Sequence, residues 1–331
     1  MKPILTIGIT SYKRVNELER CIRSVTTKYN DKIEVIVSED HSPLSDEIKK
    51  TVENLAKEAP FKLVFSPNEI NLGYDMNLGS IIKKANGEYV FLISDDDAII
   101  DGALDALIEK IMEDKKYGVY YAPFKYSENG VLDRNHKATI EIEAGENSAA
   151  RYIYDSILFS GLVFKKAFVE SIDSSRFKNL NYIQVYMFLT MLYKHGGYYF
   201  ENPSILCIGD GENAYGISES SGGNKILANR KSVISNLEFN KTLIRVIKMF
   251  DEDNATRVFD SFAKQYSLHS YSGLSIARNE GKKYYKEYFK TLRGLDIKLS
   301  PIVYVYYCLL YIFGKKNCDR MLKYFRNRLK K

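Results

Sequence analysis

The stretch Glu88-Tyr89-Val90-Phe91-Leu92-Ile93-Ser94-Asp95-Asp96-Asp97 decides how this chain reads. Five apolar or aromatic residues run directly into three carboxylates. Bounded by Gly87 and Gly102, such a run reads as a parallel strand covered on both faces. Adjacent carboxylates repel one another, so their place at a strand end needs a cause. A hard divalent cation with oxygen ligands is one. Open α/β sheets also bind ligands in the crevice beyond the carboxyl ends of their strands. A metal holding a phosphorylated substrate joins the two observations. The plainer alternative is an acidic turn that caps the helix starting near Gly102.

Working outward, strands and helices alternate. Ile4 to Ile9 reads as a strand, and Val15, Leu18, Cys21, Ile22 and Val25 fall at helical spacing. Ile33 to Val37 is a second strand, ending in Ser38-Glu39-Asp40. Ser42-Pro43 opens a helix carrying Ile48, Val52 and Leu55. Phe61 to Phe65 is a third strand, followed by Asn71-Leu72-Gly73 and a helix over 75–85. The Asp triplet ends the fourth strand. Leu104, Leu107, Ile108 and Ile111 mark a helix, and Val119 to Tyr121 a fifth strand. This alternation predicts a doubly wound, mostly parallel sheet flanked by helices. Beyond it lie a strand at 139–143, helices at 148–156 and 182–195, a strand at 205–208 and a long polar loop at 209–223. From about Ile226 the pattern is helical throughout. Two regions are expected: residues 1–225 around the sheet, and a helical C-terminal region, 226–331.

Length and composition suit a soluble globular chain of 331 residues. Met1-Lys2-Pro3 leads straight into a strand, so no signal peptide is expected. The four cysteines, Cys21, Cys207, Cys308 and Cys318, lack metal-type spacing and read as reduced thiols of a cytoplasmic protein. The net charge of +6 belongs to the tail: residues 314–331 carry eight basic residues against Asp319 alone. The remainder is close to neutral, which argues against a nucleic-acid surface on the main domain.

The order Thr10-Ser11-Tyr12-Lys13-Arg14, Val35 to Asp40, Asn71-Leu72-Gly73, Ala85-Asn86-Gly87-Glu88-Tyr89 and the Asp triplet resembles glycosyltransferase family 2, with its GT-A (Rossmann-like) fold. Ser160-Gly161-Leu162-Val163-Phe164-Lys165-Lys166 and Tyr182-Ile183-Gln184-Val185 are similar to its abequosyltransferase-like bacterial branch. The resemblance covers roughly residues 3–208. It implies a nucleotide-sugar donor, a UDP- or CDP-sugar, and a saccharide or lipid-linked oligosaccharide acceptor in surface polysaccharide synthesis. By the same resemblance Thr10, Tyr12, Arg14, Asp40, Asn71, Gly73 and Asp95 would line the donor pocket. Asp97, with Asp95 nearby, would bind Mn²⁺ or Mg²⁺.

The chemistry is consistent with those roles. Sugar transfer expels a nucleoside diphosphate, and a cation with an Arg neutralises charge where it develops. Plainer alternatives remain: Asp40 as the cap of the next helix, Arg14 as a solvated residue, and Asn71-Leu72-Gly73 as a turn.

Transfer with inversion needs a general base beside the acceptor hydroxyl. Family members often carry a Glu-Asp pair where this chain has Asn181-Tyr182-Ile183-Gln184, and neither Asn nor Gln is a base. Asp210, Glu212 and Asp155 are alternative carboxylates, with Asp210 first, and Asp96 of the triplet is a second catalytic candidate. Ser160, Gly161, Tyr182 and Gln184 are candidate acceptor contacts. A nucleotidyltransferase would need glycine in the loop after the first strand, and residues 10–14 have none. A non-catalytic sugar-nucleotide-binding or assembly module is the alternative from another class.

Pro301 to Phe313 is apolar and Tyr-rich but too short to span a bilayer. With the basic segment after it, it reads as an interfacial anchor on an anionic membrane. That would place the protein in the cytoplasm, peripheral at the inner membrane face. Packing on the catalytic domain, or a dimerisation helix in a homo-oligomer, are the alternatives.

Overall fold

The computed structural model describes residues 2–209 and 233–328. The chain divides into two compact units, Met1–Asn224 and Lys225–Lys331. Asp210 and Glu212 lie outside the described residues.

The first unit is built on an eight-stranded sheet. Its parallel half contains β1 (Leu5–Ser11), β2 (Ile33–Glu39), β3 (Lys62–Pro67) and β4 (Tyr89–Ser94), in the order β3-β2-β1-β4. Between them run α1 (Val15–Arg23), α2 (Ser45–Glu58) and α3 (Tyr74–Lys84). After β4 come β5 (Ala98–Ile99), α4 (Ala103–Glu113), β6 (Val119–Tyr121), β7 (Phe124–Tyr126), β8 (Leu132–Asp133) and β9 (Ile140–Ile142). Then follow α5 (Glu146–Tyr152), β10 (Leu162–Lys165), α6 (Lys166–Val169), α7 (Ile183–His195), β11 (Gly197–Tyr199) and β12 (Ile205–Cys207).

Leu5, Ile7 and Ile9 of β1 and Tyr89, Phe91 and Ile93 of β4 share a core with Leu18 and Ile22 of α1, Val52 of α2, and Leu104 and Ile108 of α4. These strand residues are two apart, the period that points side chains to one face. Gly8 faces the other way. A Cβ there would lie 2.2 Å from Ile81 Cγ2 of α3, so the missing side chain lets α3 settle on β1. At the amino end of the strands, buried Glu34 accepts from Thr6 Oγ1 (2.8 Å), the Asn86 amide (2.6 Å) and Lys62 Nζ (3.3 Å). Those donors outweigh the desolvation of Glu34, whose carboxyl lies below its usual range.

The second half of the sheet departs from simple alternation. β10 pairs antiparallel with β4, Leu162 opposite Leu92, and separates it from β6. β11 runs parallel to β6, and β9 pairs antiparallel with β11 at the edge. β5, β12, β7 and β8 form a small second sheet. The sheet is therefore mostly parallel on the β1 side and mixed beyond β4. From β9 the chain runs through α5 to β10, and Ser160, just before β10, contacts Asp97 of the triplet.

The second unit comprises α8 (Val233–Asn254), α9 (Val258–Asn279), α10 (Lys282–Arg293) and α11 (Pro301–Arg328). Asp251 accepts from the amides of Val258 and Phe259, both at 2.9 Å, closing the first turn of α9. Phe289 of α10 stacks on Tyr307 of α11 at 3.9 Å. α11 is broken at Gly314, where φ is 71°. No helix among the described residues is long and apolar enough to cross a membrane.

Candidate active site

β1 lies between β2 and β4, with Thr10 opposite Ser94 on one side and Ser38 on the other. The chain leaves β1 towards β2 and returns to β4 on the opposite flank. This is a topological switch point, where α/β sheets open a crevice.

Arg14 crosses that crevice. Its Nη1 lies 2.8 Å from Asp95 Oδ1 and 3.1 Å from Asp96 Oδ2. The other Asp95 oxygen accepts from the Tyr12 amide at 3.2 Å. Lys13, between them, has φ 63°, the left-handed kink that turns the loop back onto the triplet. Arg14 and Asp95 are buried, so the pair is fixed rather than solvated. Asp96 also bonds Ser94 Oγ, and Arg20 Nη2 donates to the Asp96 carbonyl at 3.1 Å. Asp96, expected as a catalytic residue, is thus a partner of Arg14. Asp95, expected to face ribose and metal, gives an oxygen each to Arg14 and Tyr12.

Asp97 turns the other way. Its Oδ2 accepts from Ser160 Oγ at 2.6 Å and its Oδ1 from the Ile208 amide at 3.2 Å. Ser160 Oγ in turn accepts from the Ser94 amide at 3.1 Å. Ser160, expected at the acceptor, is fully buried and serves to orient Asp97. Gly161 has φ 83°, and a Cβ there would lie 2.9 Å from Ile205 Cγ1. Its small size therefore serves packing against β12.

The triplet is poor in compensating charge. Burial pushes Asp95 up to about 7, against the Arg14 guanidinium, which lowers it. Burial pushes Asp97 up to about 6; the Ser160 hydroxyl lowers it and neighbouring Asp96 raises it. No group of three or more His, Cys, Asp or Glu side chains among the described residues is placed to hold a metal ion. One or two carboxylates completed by substrate phosphates is the usual Mg²⁺ arrangement, and it needs no such cage. The buried carboxylates of Asp95 and Asp97, both with raised pKa and beside the Arg14 guanidinium, fit a divalent cation on that pattern.

The β2 end closes the pocket's other flank. Asp40 does not cap α2. Its Oδ1 accepts from Asn68 Nδ2 and the Leu72 amide, and its Oδ2 from the Gly73 amide, all at 2.9 Å. Burial raises its carboxyl above the usual range, with those three donors lowering it. Asn71 Oδ1 accepts from the Gly73 amide at 3.1 Å, and Gly73 takes φ 78°. Asn71-Leu72-Gly73 is thus a turn clasped by Asp40. Asn77 Oδ1 accepts from Ser38 Oγ at 2.6 Å and from Asn68 Nδ2 at 3.0 Å, extending the network. At the β1 and β2 ends, Ser11 Oγ and Glu39 Oε2 are buried without a partner among the described residues. Ser11 and Glu39 are register partners, so both orphans sit at the carboxyl end of adjacent strands.

At α7, one carboxylate serves four amides. Asp75 Oδ2 accepts from Leu180 (3.1 Å) and Asn181 (2.7 Å), and Oδ1 from Tyr182 and Ile183 (both 3.0 Å). It lies in the first turn of α3 yet supplies the cap that α7 lacks. Burial pushes Asp75 up to about 6, opposed by these amides. Gln184 Nε2 donates to the Ile157 carbonyl at 3.0 Å, while its Oε1 is buried without a partner. Tyr182 is half-buried, and burial pushes its hydroxyl up to about 12.

Asp75 and Asn77 were missed in the sequence. Their signal is positional: polar side chains on the buried face of a helix otherwise lined by Leu78, Ile81 and Ile82.

Comparison with known proteins agrees with this geometry. The description "Glycosyl transferase family 2" matches residues 6–171. A Campylobacter jejuni protein, GalNAc(5)-diNAcBac-PP-undecaprenol beta-1,3-glucosyltransferase, is 27% identical over 312 residues, covering 90% of each chain. Abequosyltransferase RfbV of Salmonella typhimurium is 24% identical over 229 residues, 63% of this chain and 68% of that one. Among solved structures, the mannosyltransferase PcManGT of Pyrobaculum calidifontis, in complex with GDP-Man and Mn²⁺, superposes with a TM-score of 0.54 at 14% identity, covering 95% of this chain and 87% of that one. S. aureus TarS 1-349 in complex with UDP-GlcNAc gives 0.53 at 15% identity, over 83% and 80%. The fold is of the GT-A type, and the chain belongs to glycosyl transferase family 2 and is a glycosyltransferase.

Proposed function

We propose that this glycosyltransferase moves a sugar from a nucleotide-sugar to a lipid-linked saccharide in surface polysaccharide synthesis, using Mn²⁺ or Mg²⁺. The observation that carries the donor site is Arg14 held between Asp95 and Asp96, beside Asp97, where β1 and β4 diverge. Asp97 would hold the ion, with Asp95 as neighbour, and the bound ion would supply positive charge to the leaving diphosphate. Arg14 offers a fixed second positive group to the same phosphates. Asp95 and Asp96 prevent it from swinging away. The Asp40-clasped turn at Asn71 and Gly73, with Thr10 and Tyr12 opposite, shapes the nucleoside pocket. The unpartnered oxygens of Ser11 and Glu39 are available to ribose or base.

The acceptor lies towards α7. Gln184 Oε1 would accept from an acceptor hydroxyl, since a buried acceptor left unmade is costly. Tyr182 offers a ring edge for a sugar. A lipid-linked acceptor draws support from the Campylobacter relative, whose name specifies an undecaprenol-linked substrate. Membrane attachment draws support from α11, where Tyr304, Val305, Leu309, Ile312 and Phe313 are exposed. The basic residues that follow suit an anionic surface.

A thermal-shift panel of UDP-, GDP-, CDP- and dTDP-sugars tests the donor site, with and without Mn²⁺, on wild type and Asp97→Ala. Metal-dependent stabilisation by one nucleotide class, lost in the variant, is expected. No metal-dependent shift with any of the four would refute the donor site and favour a binding or assembly module.

A further inference from the structure

Among the described residues, the side chains assigned so far include no free general base. Asp75 is committed to four amides, Asp95 and Asp96 to Arg14, and Asn181 and Gln184 cannot take a proton. A different pair of side chains lies beside the same segment. His136 Nε2 is 2.6 Å from Asp155 Oδ2. Asp155 is buried and also accepts from Tyr121 Oη at 3.0 Å. The His136 amide donates to Tyr199 Oη at 3.1 Å, and its ring meets the edges of Tyr152 and Tyr199. Backbone, ring and Nε2 are thus all fixed. Nδ1 has no partner among the described residues, and the side chain is 29% exposed.

Two ties link this pair to the segment that contacts the triplet and Gln184. Two residues before His136, buried Arg134 donates through Nη1 to the Ser160 carbonyl at 3.2 Å and through Nη2 to the Leu158 carbonyl. Asp155 opens the segment that carries Ile157, the anchor of Gln184, and Ser160, the partner of Asp97. One short stretch, 155–160, therefore connects the His–Asp pair, the acceptor side and the triplet.

We propose that His136 is the general base of the transfer and that Asp155 is its positioning residue. This rests on the donor-site reading above. With Nε2–H donated to Asp155, Nδ1 is the basic nitrogen, on a side chain that is partly exposed. It takes the proton of the acceptor hydroxyl as that oxygen bonds to the anomeric carbon. The bond from that carbon to the diphosphate oxygen breaks, and its electron pair leaves with the diphosphate. The proton on His136 then passes to water. Asp155 holds the tautomer and stabilises the imidazolium. The other titratable groups around the ring are Tyr121, Tyr152, Tyr199 and Arg134.

The test uses the full chain, Mn²⁺ and UDP-, GDP-, CDP- and dTDP-glucose, with water as acceptor and nucleoside diphosphate release as readout. Donor affinity is measured separately by calorimetry. His136→Gln should keep donor affinity within about twofold and lose about 10²-fold or more in turnover. It should also lose the acidic limb of the kcat–pH profile. His136→Ala should regain turnover with added imidazole, which a merely structural histidine would not permit. Asp155→Asn should retain an acidic limb, displaced along the pH axis. Unchanged turnover and profile in His136→Gln, or an acidic limb lost in Asp210→Asn instead, overturns the assignment. Donor affinity retained with no imidazole rescue also counts against it. If wild type binds none of the four donors, the donor-site reading fails and this one with it.

Discussion

Asp97→Asn separates the charge of the triplet from its shape. In the cation-free protein, burial holds the Asp97 carboxyl at about 6 against an ordinary 3.8. A folded pKa above the unfolded one means that the group favours folding at low pH. That contribution is complete below 3.8 and is lost as pH rises through 6. At pH 8 the ionised carboxylate therefore costs about 3 kcal/mol relative to a neutral group. Asparagine removes that cost but sets its amide against one of the two donors, Ser160 Oγ or the Ile208 amide, at about 1–2 kcal/mol. The net gain at pH 8 is about 1–2 kcal/mol, or roughly 3–6 °C in Tm for a unit of this size. At pH 5 about half the ionisation cost is already relieved, so the gain should fall to about zero. The assay is thermal unfolding in EDTA at both pH values, then with Mn²⁺ and donor. Wild type should gain from the ion and donor, and the variant should not. A variant destabilised at pH 8, or stabilised equally at both pH values, would show that burial does not raise the Asp97 carboxyl.

Arg14→Lys should weaken donor binding about 10-fold or more, because one ammonium cannot bridge Asp95 and Asp96 as the guanidinium does; calorimetry reads this directly. Asp75→Ala orphans four amides at the head of α7, and at about 1–3 kcal/mol for each buried group it should cost several kcal/mol in denaturant unfolding. Gly161→Ala should destabilise by about 1–3 kcal/mol, since it combines φ 83° with a 2.9 Å approach to Ile205. Replacing Ile312 and Phe313 by Ser should reduce sedimentation with phosphatidylglycerol vesicles without changing donor affinity, and undiminished sedimentation would exclude these α11 residues from membrane attachment.

The parallel half of the sheet was legible because each strand is a short apolar run and each helix repeats its apolar residues every three or four positions. The Asp triplet was legible because three charges at a strand end break that pattern. β10 and β11 were not, since Leu162-Val163-Phe164 reads as part of a motif and residues 197–199 carry too short a pattern to read as a strand. Their pairing with β4 and β6 is a long-range choice that local periodicity does not encode. The partners of each carboxylate were also hidden. Asp40 reads equally well as a helix cap, and only the fold shows its oxygens reaching Leu72 and Gly73. Ser160 looked like an acceptor contact because it is small. Its role depends on Asp97, 63 residues earlier.

The most direct measurement is a crystal grown with Mn²⁺ and the nucleoside diphosphate of the preferred donor, with data collected to show the anomalous signal of manganese. A single peak is expected within about 2.3 Å of an Asp97 carboxylate oxygen, with the diphosphate beside it and Arg14 on the same phosphates. A diphosphate bound away from Arg14, or manganese held by residues outside the triplet, would contradict the proposed donor site.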